Sequence, residues 1–159
     1  MLKNKYQLYE LICVAVLAVF VALMLVFSSA GTNKTVQELT APVTKLGESA
    51  ALTERTALNA SSVFGFDLSI AEGVLYYENE DIMNVSEILI VKLNDRSDAP
   101  ALKEAVENRV REQQELYKNY APDQYSLLTN SIVEVKGNVL FYCTGTNAGE
   151  AYEAFKKAL

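Results

Sequence analysis

Seventeen consecutive residues, LICVAVLAVFVALMLVF at 11–27, carry no charge and only one weakly polar side chain, Cys13. No other feature limits the fold as strongly. As a helix rising 1.5 Å per residue the run is ~25 Å long; adding Leu8, Tyr9 and Glu10 brings it to ~30 Å, the thickness of a bilayer's hydrocarbon core. Twelve of the seventeen are Leu, Ile, Val or Phe, each favouring insertion by up to ~0.3–0.6 kcal/mol. A helix apolar on every side does not suit the core of so small a domain. Residues 8–27 are therefore expected to form a transmembrane helix, with the lipid bilayer as their partner. Lys3 and Lys5 precede the run and the next basic residue is Lys34, which favours a cytoplasmic N-terminus and an extracytoplasmic C-terminal domain. Ser28-Ser29-Ala30 offers small residues for a cut after Ala30, which would make the domain secreted. The run exceeds the ~7–15 residues of a signal-peptide core, which favours an uncleaved signal anchor. The expected division is a tail and anchor over 1–30, a linker over 31–34, and one extracytoplasmic domain over 35–159.

Composition narrows the function of that domain. Residues 31–159 hold 12 Lys and Arg against 19 Asp and Glu, a balance that argues against nucleic acid as a partner and repels anionic surfaces. The 159-residue chain contains no histidine. That removes the usual general base, the commonest transition-metal ligand and every Ser-His or Cys-His pairing. No SxxK motif or phosphate-binding glycine loop occurs. No catalytic residue, cofactor or metal ligand is assigned, and an enzyme is not expected.

The pattern of the domain predicts an α+β fold. Val36, Leu39, Val43 and Leu46 have helical spacing, with Pro42 set to kink or split the helix and Gly47 as a C-cap. Residues 48–67 read as loop with at most one helical turn. GVLYY at 73–77 and EILIVKL at 87–93 read as strands, the second buried on both faces and so central in its sheet. Pro100 opens a long helix, capped by Ser97 or Asp98, that runs to about Asn119 with Leu102, Val106, Val110, Leu116, Tyr117 and Tyr120 as its apolar stripe. Pro122 opens a shorter one. Residues 132–135 and 139–143 form a hairpin about Gly137-Asn138. Asn147 and Glu150 fit a capping box for a last helix whose inner face is Ala151, Tyr152 and Phe155. The order α-ββ-αα-ββ-α implies a four-stranded, largely antiparallel sheet packed with helices.

GVLYY at 73–77, EILIVKL at 87–93, YKNYAPDQYSLL at 117–128 and VKGNVLFY at 135–142 resemble the bacterial domain-of-unknown-function family 4358, represented in Gram-positive anaerobes. The resemblance covers roughly residues 35–159. It implies a lipoprotein or membrane-anchored ectodomain at the cell envelope. This chain lacks a lipidation cysteine, so the lipoprotein form does not carry over. The family implies no activity.

Three groups of residues are candidates for function. Arg109 and Gln113 lie in or beside the apolar stripe of the long helix, and Glu87 opens an otherwise apolar strand. A buried ion pair between Glu87 and Arg109, with Gln113 satisfying nearby backbone, is the structural expectation, because buried charges are normally paired. A polar site that takes a small ligand or a partner's carboxylate through Arg109 is the functional one. Tyr76, Tyr77, Tyr117, Tyr120 and Tyr125 form a candidate aromatic surface, set against ordinary packing with each ring inside and each hydroxyl at the rim. Glu78, Glu80, Asp81 and Glu87 cluster about the first hairpin. They lack the spacing of a calcium loop and read as a solvated tip. Cys143 reads as a buried thiol. Together these features favour a non-enzymatic module that binds another envelope protein, or itself, over a sensor for a small ligand such as a cell-wall fragment.

Overall fold

A computed structural model of the chain describes residues 5–28 and 31–159, with the side chains of 9–21 and 31–159. The described residues fall into two units, 5–28 and 31–159. The first is helix α1, Lys5–Ser28. Its side chains are described over 9–21, ~20 Å of helix. Among the described residues no helix is long and apolar enough to cross a membrane. The span read over 8–27 thus extends beyond the described side chains, and the cleavage site at Ser29-Ala30 lies outside the described residues.

The second unit is an antiparallel sheet with helices on both faces. Its strands are β1 Thr53–Arg55, β2 Ala71–Glu78, β3 Glu87–Leu93, β4 Ile132–Lys136 and β5 Val139–Thr144, in the order β1-β2-β3-β5-β4. The helices are α2 Val36–Thr40, α3 Ala57–Phe64, α4 Ala99–Tyr117, α5 Pro122–Thr129 and α6 Ala148–Ala158. The sheet has five strands, not the four expected. The fifth is β1, three residues paired to the end of β2 through Thr53↔Glu78 and Arg55↔Tyr76. It is too short to display the alternation that identifies a strand.

The stretch read as loop, 48–67, also contains α3. Thr56 caps it by accepting from Asn59 N–H, and Gly65 ends it at φ +69°. The helix expected over 36–46 stops early. α2 ends at Thr40, and Pro42 follows with no N–H to continue the ladder. Gly47, expected as a C-cap, begins a 3-10 turn over Gly47–Ala51 instead. The linker read over 31–34 is tied to the domain, since Thr32 N–H donates to Asn138 Oδ1 at 3.0 Å.

β3 is buried along its whole length, with β2 on one side and β5 on the other. Side chains alternate across it. Leu89, Val91 and Leu93 join Tyr76, Leu140 and Tyr142 beneath α3 and α4, while Ile88 and Ile90 join Phe141 and Cys143 beneath α2 and α6. α4 buries Leu102, Val106, Val110 and Tyr117, but Leu116 and Tyr120 of the expected stripe are exposed. Its last turn packs Tyr117 against Val85 of the loop between β2 and β3 and Leu128 of α5. Pro100 lies in the first turn of α4 as expected, although Asp98 at the cap makes no side-chain cap hydrogen bond. The capping box at α6 does not form. Asn147 Nδ2 donates instead to Leu46 O and Ser49 Oγ, both at 3.0 Å.

Candidate functional site

The alternation that places Leu89 beneath α4 places Glu87 there too, with little of its surface exposed. The register sets Glu87 opposite Glu78 on one side and Thr144 on the other. Tyr76 and Tyr142 are each two residues along their strands, within diagonal reach of a long side chain. Tyr142 Oη donates to Glu87 Oε1 at 2.7 Å, and Tyr76 Oη lies 2.9 Å from Oε2. Arg109 descends from α4 and donates from Nη2 to Oε2 at 3.1 Å. Its guanidinium rests on the Phe64 ring, 4.8 Å from the centroid. That ring meets Tyr76 and Tyr142 edge-on at 5.4 and 5.6 Å. Five elements therefore close around one carboxyl group: α3, α4, β2, β3 and β5.

A second ion pair continues the chain outward. Tyr76 Oη is also 2.6 Å from Glu78 Oε2, and Arg55 Nε of β1 donates to Glu78 Oε1 at 2.8 Å. A phenol has one proton to give, and Tyr76 faces two carboxyls. The second contact is a hydrogen bond only when the carboxyl on that side carries a proton. Burial, opposed by Arg109, Tyr142 and Tyr76, pushes the Glu87 pKa up in that direction. Burial and the charge of Glu87 likewise raise both tyrosines, so each remains a donor. Burial, the largest influence, works against the Arg109 charge, but Glu87, Tyr142 and Tyr76 together outweigh it and raise the guanidinium pKa.

The two ion pairs border a pocket of about 320 Å³, lined among others by Arg55, Glu78, Glu87, Arg109, Gln113 and Tyr117. Its size is at the lower end of the ~300–1,000 Å³ typical of small-ligand pockets. The Tyr117 hydroxyl donates to Ile82 O at 3.2 Å, and Gln124 Oε1 accepts from Val85 N–H at 2.9 Å. These bonds hold the β2–β3 loop as one wall. From the other side Ser86 Oγ and the Thr146 N–H and hydroxyl all donate to Glu48. Burial alone would raise the Glu48 carboxyl, but these bonds hold it below its ordinary value. At the mouth Ile82 is 88% and Leu116 58% exposed. Met83 and Tyr120, also exposed, line an adjoining hollow that shares Asp81 and Asn84.

Glu87 and Arg109 are thus brought together, and Gln113 joins them at the pocket wall. The amide that satisfies backbone is a different one, Gln114, which donates from Nε2 to Leu128 O at 3.1 Å. The five tyrosines do not form one surface. Tyr76 and Tyr117 are buried, Tyr77 and Tyr125 are half-buried, and Tyr120 is exposed. Tyr76 differs from the ring-in, hydroxyl-at-rim expectation because its hydroxyl turns inward to Glu87. Glu80 and Asp81 stand at the tip of the hairpin, accepting from Thr53 Oγ1 and Met83 N–H. Cys143 is buried, and burial pushes its thiol up to about 12, far from a thiolate at neutral pH. Among the described residues no group of three or more acidic, Cys or His side chains is placed to hold a metal ion.

Arg55, Phe64 and Tyr142 were not foreseen. Arg55 and Phe64 lie in the stretch read as loop. Tyr142 was legible in principle, because it shares a strand face with Leu140 and sits in the predicted partner hairpin.

Fold and site together define an α+β domain whose sheet carries a buried carboxyl, tyrosine and arginine network opening into a surface pocket. Residues 45–145, well over half of the chain, match the model of the family described as Domain of unknown function (DUF4358). The chain belongs to that family. The matched segment holds the whole sheet and α3 to α5, and with them every member of the network; α2 and α6 lie outside it. No curated protein and no solved structure matches the chain.

Proposed function

We propose that the chain is a single-pass, membrane-anchored protein whose extracytoplasmic domain is a non-enzymatic protein-interaction module at the cell envelope. The observation that carries the reading is the apolar mouth of the pocket. Ile82 and Leu116 stand exposed there, and Met83 and Tyr120 line the hollow beside it. Exposed apolar side chains grouped on an acidic domain favour contact with a partner. The histidine-free sequence and the buried thiol support a binding role over a catalytic one. Support for the anchor comes from the apolar run at 11–27 and from α1, whose described side chains are exposed on every side of the helix. An all-round apolar surface suits an apolar solvent.

In-cell crosslinking of the tagged full-length protein, with mass spectrometry of what co-purifies from the membrane, tests the reading. One envelope protein recovered stoichiometrically is the expected result. Recovery of nothing above background sinks it. Protease added to intact spheroplasts should degrade residues 35–159 and spare the tail, and protection of the domain would reverse the proposed orientation.

The pocket favours a second reading, a sensor for a small ligand such as a cell-wall fragment, with Arg55 and Arg109 as its polar contacts. Soluble cell-wall fragments should then raise the melting temperature of the wild type and not of an Arg55→Ala variant.

A further inference from the structure

Resting on the interaction reading, we infer that the partner presents a basic, amphipathic segment: apolar side chains cover Ile82, Met83, Leu116 and Tyr120, and a Lys or Arg enters the acidic mouth between them. The apolar rim is exposed, with Ile82 the most accessible large hydrophobic residue among those described. It borders a pocket wide enough for one long side chain. Charge selects the occupant. The pocket's two cations are committed, Arg55 to Glu78 and Arg109 to Glu87. Glu80 and Asp81 accept from a neutral hydroxyl and a backbone N–H, which leaves the mouth with excess negative charge. Residues 31–159 are acidic as a whole by seven charges, 12 basic against 19 acidic.

Two other occupants fit less well. In a symmetric pair of this chain the same patch meets itself, which sets Glu80 and Asp81 against their own copies. An anionic lipid surface is repelled by the same charges. A basic segment is attracted over a distance of about one Debye length and then held by the apolar rim. Its long stem lies along Leu116 and the Tyr117 ring edge while its charged end meets the carboxylates, the usual behaviour of Lys and Arg at an apolar border.

The test is site-specific photocrosslinking in cells that make the full-length protein natively. A photoreactive phenylalanine analogue replaces Ile82 in one variant, Leu116 in a second, and Leu58, exposed on α3, in a third. Crosslinked peptides are sequenced, and the Ile82 and Leu116 probes are then repeated in an E80K/D81K background. Probes at Ile82 and Leu116 should capture one apolar peptide rich in Lys or Arg from another protein. The charge reversal should cut that yield by at least about tenfold, and acidic substitutions in the captured peptide should restore it. Capture of an acidic peptide or of this chain itself overturns the inference and leaves the interaction reading standing. Capture at Leu58 alone moves the interface elsewhere and overturns the inference in the same way. No capture from any position overturns both.

Discussion

Removing Arg109 leaves Glu87 without its cation at a place water barely reaches. Losing one partner of a buried pair typically costs ~3–5 kcal/mol. An R109A variant should therefore unfold at clearly lower urea concentration, and a variant as stable as wild type would remove the structural role of the pair. Y142F deletes one hydrogen bond to a carboxyl and should cost less, ~1.5–3 kcal/mol, read from the same urea curves. The pH dependence has a definite sign. Glu87 holds its proton more tightly in the folded state than at the ordinary value of 4.5, chiefly because it is buried. Its contribution to stability is thus full below 4.5 and is lost as pH rises through the folded value. Glu48, lowered by its hydrogen bonds, works in the opposite sense: its contribution is present above 4.5 and lost as pH falls. Subtracting the curve of E87Q from that of wild type isolates the first effect. As pH rises above 4.5 the advantage of wild type over E87Q should shrink, and a difference that stays flat would show that Glu87 titrates alike in both states.

Among the elements, α2 and β2 show how little slack the packing has. A Cβ added at Gly73 would stand 2.9 Å from Val36 Cγ2, beside the irregular register between Ala71 and Gly73. G73A should cost ~1–3 kcal/mol by overpacking, and V36A in the same chain should recover part of that loss in a thermal melt. The same elements explain what was legible beforehand. β2, β3, β4 and β5 were readable because their apolar or alternating runs extend over four residues or more. β1 was not, because a three-residue edge strand holds its place through Arg55 and Thr53, whose partners are more than twenty residues away. α3 carried both of its signals, Thr56 before it and Gly65 after it, but its ALNASSVF sequence turns Leu58 and Val63 to solvent and so has a weak apolar stripe. Of the site, the Glu87–Arg109 pair followed from charge burial alone. The tyrosines' roles did not, because only strand register decides whether a hydroxyl turns inward.

At the scale of the whole molecule, the two cores lie on opposite faces of one sheet and share its strands. Cys143 sits in the core under α6, while Arg109 acts on the other face. Disturbing one face should therefore loosen the other. With Cys13 replaced by Ser, alkylation of Cys143 should follow global unfolding, and R109A should accelerate it although the two residues do not touch. Alkylation that ignores R109A would mean that the faces open separately.

The strand order has a further consequence, for synthesis. β3, buried along its whole length, pairs with β5, which follows only after the stretch 94–138 with its two helices. Until the C-terminal hairpin has been made, EILIVKL presents one side as an unpaired edge of hydrogen-bonding groups flanked by Ile, Leu and Val. An edge of that kind recruits other chains, and late long-range pairing slows its closure. A nascent chain stopped at about residue 130 is thus the hazardous intermediate, complete enough to collapse but still missing the strand that would shield it from its neighbours.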